Sequence, residues 1–144
     1  MDTETVTRLR RVISRMARQF NTDATSEGLT PSQASVLGQI VARGPLAIGE
    51  LCQLEGINPT MLSRVIGKLD EAGLIRRKPN PDDLRSAWVE STRTGATLSG
   101  RIWARRTSSL SAGIARLPHE QQQALAAALP VLEALVEDLL DNAG

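Results

Sequence analysis

The residues best suited to chemistry lie between Asn58 and Ser86. From Asn58-Pro59 onward, Thr60, Ser63, Arg64, Gly67, Lys68 and Glu71 recur at three- and four-residue steps. On a helix advancing about 100° per residue they share one side, while Leu62, Val65, Ile66 and Leu69 fall roughly 140° to 240° from Thr60. The polar side combines hydroxyls, a guanidinium, an ammonium and a gap at Gly67. Arg64 and Lys68 have the donors for guanine O6 and N7 or for phosphates, and Thr60 and Ser63 for bases or backbone. Pro59 lies near the positive end of the helix, where phosphates are favoured. A solvated helix face is polar too, so this pattern needs a second element beside it.

Other chemistry finds less support. Cys52 and His119 make a nucleophile and base only if folding joins them, and no glycine-rich phosphate loop or paired-carboxylate motif accompanies them. Catalysis is not expected. One Cys and one His are too few for a four-ligand zinc centre, so no metal or cofactor is expected and Cys52 reads as structural. The aromatics are Phe20, Trp88 and Trp103, with no Tyr, which excludes a base-stacking platform for single strands. A lone cysteine needs no oxidising compartment. The start MDTETVTRLRR lacks the apolar core of a leader, and no apolar run approaches a membrane span. The expectation is a cytoplasmic chain with no membrane partner.

At 144 residues the chain fits one domain plus helices reserved for a partner. Its hydrophobic fraction of 41% with 23% charged residues excludes disorder. Charge is unevenly distributed. Residues 1–57 balance; residues 58–116 hold eleven basic groups against five carboxylates; residues 117–144 hold five carboxylates and no Lys or Arg. A basic middle is what a polyanion-binding surface shows.

The elements that must position these residues follow from periodicity and punctuation. Val6, Leu9, Val12, Ile13, Met16, Ala17 and Phe20 predict a long amphipathic helix ending near Asn21. Thr30-Pro31-Ser32-Gln33 reads as a capping box opening a second helix, which Gly44-Pro45 closes. A short third helix carries Ile48, Leu51 and Leu54 and stops at Gly56. Asn58-Pro59 opens the fourth and Gly73 closes it. Leu74 to Lys78 and Ser86 to Ser91 predict a hairpin. Thr92 caps a fifth helix running to about Leu117. Pro118 starts a sixth, Leu-rich helix containing Pro130, which should bend it or interrupt its hydrogen bonding. The predicted fold is mainly α with a small β-hairpin wing: a winged helix-turn-helix over 30–92, flanked by dimerisation helices over 1–29 and 93–144. Helix-turn-helix followed by a hairpin is an arrangement used to place a helix in the DNA major groove, and winged helices also serve as protein-binding modules.

The hairpin supplies the second element. Its strands carry Arg76, Arg77 and Lys78, and its tip presents Asp82, Asp83, Arg85 and Ser86. An arginine held beside carboxylates suits a narrow, strongly negative minor groove.

With these residues in view, the chain resembles the MarR family of winged-helix transcriptional regulators over about residues 5–140. The likeness is carried by LTPSQASVLGQI, by IGELCQLEGINPTMLSRVIGKLDEAGLI and by RRKPNPDDLRSAWVESTRTG. Asp83-Leu84-Arg85-Ser86 is similar to the family's Asp-x-Arg wing motif, and Thr92 with Gly95 to its Thr-x-x-Gly. The resemblance implies DNA contacts at Pro59, Thr60, Ser63, Arg64, Lys68, Arg77, Asp83, Arg85 and Ser86. It further implies a homodimer built from the first, fifth and sixth helices on a pseudo-palindromic operator. Repression released by a small phenolic or aromatic effector is the expected mode, with Arg15, Met16, Phe20 and Trp103 as candidate pocket residues. Three positions depart from the pattern: Ala47 replaces a Ser or Thr cap, Ser91 a Leu, and Leu84 is apolar at the wing tip. The alternative is a winged helix that binds protein, for which a neutral recognition face is expected.

Overall fold

The computed structural model describes residues 1–83 and 87–143. Its elements in chain order are α1 (Thr3–Ser26), α2 (Pro31–Arg43), β1 (Leu46–Ala47), α3 (Ile48–Glu55), α4 (Pro59–Glu71), β2 (Ile75–Pro79), β3 (Ala87–Ser91), α5 (Arg93–Ala115) and α6 (His119–Asp141).

Local chemistry sets most boundaries. Asp2 caps α1 by accepting the Thr5 amide at 2.7 Å. This helix runs five residues past Asn21, because Ala24 extends its apolar stripe by one more turn and is fully buried. The stop comes at Gly28, whose φ of 82° is left-handed. The capping box of α2 forms in both directions: Thr30 Oγ1 accepts the Gln33 amide at 3.2 Å, and the Thr30 amide donates to Gln33 Oε1 at 3.1 Å. At Ala47 there is no side-chain cap, so α3 begins without that bond. Asn58 Oδ1 then accepts the Met61 amide at 2.8 Å and starts α4.

The wing has three strands in the order β1-β3-β2, all antiparallel. β1 is absent from the sequence expectation. Two residues are too short for a period-two signal, and Leu46 joins the sheet because it is buried opposite Val89. The helix α6 continues through Pro130. The proline removes the amide that would serve the Ala126 carbonyl, but Ala126 is exposed and water can take that place.

One core joins the winged unit. Leu37, Ile40, Leu51, Leu62, Ile66, Leu69, Ile75 and Val89 are fully buried, and Leu98 and Ile102 add the start of α5. The end of α1 is pinned to α5 by polar contacts: Arg101 and Arg105 lie 3.5 and 3.6 Å from the Glu27 carboxylate, and Arg106 Nε donates to the Phe20 carbonyl at 3.2 Å. By contrast α6 has no buried residue. Among the described residues no helix is long and apolar enough to cross a membrane.

The join between wing and α5 gives the Thr-x-x-Gly pattern a physical basis. Thr92 Oγ1 donates to the Gly73 carbonyl at 2.6 Å and accepts the Gly95 amide at 3.1 Å. A Cβ on Gly95 would run into the Leu74 carbonyl, a backbone group with no rotamer to yield. Gly95→Ala is therefore expected to destabilise the fold by about 3 kcal/mol, the upper end of overpacking costs. Around a Cβ on Gly67 there is open space, so Gly67→Ala should gain about 0.5–1 kcal/mol of helix stability. Urea unfolding of the two variants checks the contrast; equal midpoints would refute it.

Candidate nucleic-acid interface

Helix α4 divides into two faces. Leu62, Val65, Ile66 and Leu69 are buried, while Pro59, Thr60, Ser63, Arg64 and Lys68 are exposed. The buried stripe fixes the rotation of the helix, so the polar face has no choice but to point outward. Arg64 makes no ion pair with any described residue. Lys68 Nζ lies 3.7 Å from Glu71 with both side chains largely exposed, an interaction that salt and water hold to well under 1 kcal/mol. Gly67 leaves a clear approach between them.

In the wing, strand register separates the three cations. Arg76 and Lys78 share the side on which Glu90 lies, and Glu90 accepts from both, at 2.6 Å from Arg76 Nε and 3.1 Å from Lys78 Nζ. Those bonds, Lys78 first, hold the Glu90 carboxyl below its ordinary value of 4.5. Arg77 is on the other side, opposite Val89 and toward α4, where Nε lies 3.8 Å from Asp70. Sequence reasoning missed Glu90 as a brace; its signal is an acid placed across from Arg76 once the register is known. At the tip the Asp82 amide donates to Asn80 Oδ1 at 2.9 Å, and Asp83 is exposed. Leu84, Arg85 and Ser86, which hold two of the expected wing contacts, lie outside the described residues.

Three of the four candidate pocket residues lie along one side of α1, and Trp103 lies apart from them. Met16 and Phe20 line a cavity of about 360 Å³ with Leu110, Ile114, Leu117 and Leu125. Trp103 lines a separate groove of about 410 Å³ between α2 and α5, with Gln39, Arg43 and Arg106. Its indole packs over Gly38, and the Arg106 guanidinium sits 5.9 Å from the ring centre. Arg15 lines an adjoining opening along α1 with Val12, Met16 and Gln19, so Met16 and Gln19 are shared with the cavity at Phe20. Cys52 is a free, half-buried thiol against the core, and His119 opens α6 on the surface. Among the described residues no three metal-binding side chains gather.

A family model described as MarR family matches residues 27–86, the stretch from just after α1 to the residue before β3. Over that stretch the chain is similar to the MarR family. An HTH-type transcriptional regulator of Mycobacterium tuberculosis is 29% identical over 126 residues, covering 88% of each chain. Two solved structures share the fold along nearly the whole length. Escherichia coli MarR, as a Cys-to-Ser mutant complexed with operator DNA, matches with a TM-score of 0.73 and 22% identity, covering 96% of this chain and 94% of the other. NadR in complex with 4-hydroxyphenylacetate matches with a TM-score of 0.77 and 19% identity, covering 99% and 95%. The chain therefore shares the fold of these two neighbours with a sequence largely its own.

The wing brace has a defined pH signature. A carboxyl held low in the folded state stabilises above its unfolded value and loses that contribution as pH falls through the folded one. Wild type should melt higher than Glu90→Gln above about pH 4.5, and the gap should close as pH drops further. A gap independent of pH would show that Glu90 does not act as an ionised brace.

Proposed function

We propose that this chain is a homodimeric, sequence-specific regulator that grips double-stranded DNA with Pro59, Thr60, Ser63, Arg64 and Lys68 of α4 and with Arg77, Asp83, Arg85 and Ser86 of the wing. The observation that carries the reading is the division of α4: a stripe locked in the core leaves Thr60, Ser63 and Arg64 outward at the helix start. Residues near the start of a recognition helix are the ones that meet base edges.

Pairing of two copies is supported by apolar surface on three helices. Val6, Val12, Ile13 and Met16 of α1, Leu110 of α5 with Leu117 just beyond it, and Leu125, Leu129, Leu135 and Leu139 of α6 are all exposed in the single chain. Surface of that extent is a site of association, and an isologous pair sets two copies of α4 against major grooves about one DNA turn apart. Occupation of such a site near a promoter blocks polymerase, which makes repression the simplest mode of control. A small aromatic acid is the proposed releasing ligand. The groove at Trp103 offers an indole for its ring, with Arg43 and Arg106 for its carboxylate, and NadR supplies the precedent of a hydroxyphenyl acid bound by the same fold.

Selection from a random duplex pool tests the reading, and the expected product is a two-fold-related pair of half-sites bound by a dimer in sedimentation. Arg64→Ala should cost about 1–3 kcal/mol and relax preference at one position per half-site; unchanged binding refutes its role. Arg85→Ala should lower the salt slope of binding by about one unit per subunit bound, and an unaltered slope counts against the wing contact. Failure to select any sequence, with capture of a protein partner instead, would favour the protein-binding module.

A further inference from the structure

The polar groups of α4 leave one exposed side chain on that helix without a role. Met61 is 44% exposed, whereas Leu62, Val65, Ile66 and Leu69 are each at most 7% exposed. Its position lies about 100° from Thr60, next to Lys68 at about 80° and on the outward side of the buried stripe. The backbone there is held, since the Met61 amide donates to Asn58 Oδ1 at 2.8 Å, so the side chain projects from a fixed point in the first turn.

The major groove offers one apolar feature, the C5 methyl of thymine. A thioether side chain is unbranched and polarisable, and it adapts to small irregular apolar surfaces. We propose that Met61 reads a thymine in each half-site by packing against its methyl group, so that Met61 is a specificity-determining residue alongside the hydrogen-bonding face. The proposal rests on the operator-binding reading above. It adds a discrimination that Arg64 and Lys68 do not provide, because removal of the methyl and its contact leaves every base-pairing group in place.

That last point supplies the test. Each thymine of a selected operator is replaced singly by deoxyuridine, which keeps its pairing and loses only the methyl, and binding of the full chain is measured by fluorescence anisotropy at fixed salt. Wild type should weaken about fourfold at one thymine per half-site, the effect of exposing one apolar carbon. Met61→Ala should bind the unmodified operator several-fold more weakly and be indifferent to uracil at that same position. The change is made on the DNA, so a folding defect cannot imitate it. Indifference of wild type at every thymine, a selected half-site lacking thymine, or full uracil sensitivity retained in Met61→Ala would each overturn the proposal. A pool that yields no sequence at all would overturn the operator-binding reading itself, which those three outcomes leave standing.

Discussion

Burial of one stripe on α4 governs the rest of the molecule. Leu62, Ile66 and Leu69 are sealed against Leu37, Ile40, Leu51, Ile75 and Val89 in a single cluster. Each such side chain contributes about 1.5–3 kcal/mol on burial, so rotating the helix by even one position would expose several of them together. The outward direction of Thr60, Ser63 and Arg64 is thus an outcome of core packing, with no contribution from the polar residues themselves. The buried stripe and the polar surface thus occupy opposite faces of the same thirteen residues.

The helices outside this cluster obey a different balance. Only Ala24 of α1 and the first turns of α5 are drawn into the core, and α6 contributes nothing to it. What attaches α1 is largely polar: Glu27 between Arg101 and Arg105, Ser26 accepting from Arg105 at 2.8 Å, and Arg106 on the Phe20 carbonyl. Exposed ion pairs of this kind are weak singly, but several of them act on one helix terminus, where cations also meet the negative end of the helix. They orient α1 while leaving its apolar stripe toward Met16 and Val12 uncovered.

Legibility in the sequence tracked how local each determinant is. Caps and stops were readable because they reside in a few adjacent residues, as at Thr30 to Gln33 and Asn58-Pro59. The faces of α4 were readable because their period is intrinsic to the helix. What the sequence hid depends on distant pairing. β1 exists only because Leu46 meets Val89, the last turn of α1 only because Ala24 finds the core, and the role of Glu90 only because register sets it across from Arg76. Trp103 lies apart from the other pocket candidates for the same reason: residue type says nothing about which groove a side chain lines, and Trp103 stacks over Gly38 while Phe20 faces Leu110 and Ile114.

Charge pairing sorts the cations of the basic middle by task. Arg76 and Lys78 are committed to Glu90 in short bonds, so these two hold the strands of the wing together. Arg77 and Lys68 have partners at 3.8 and 3.7 Å on open surface, beyond hydrogen-bond length, and Arg64 has none among the described residues. A phosphate or guanine edge need displace little to engage that second set, because a loosely held cation is already hydrated and mobile. A cation in a short bond with a shielded carboxylate such as Glu90 would have to leave the carboxylate unpaired. The net charge of this region is therefore a poor guide to affinity. The weakly paired cations on α4 and the adjoining strand are the ones most open to a polyanion, since binding one there would release counterions without breaking a short ion pair.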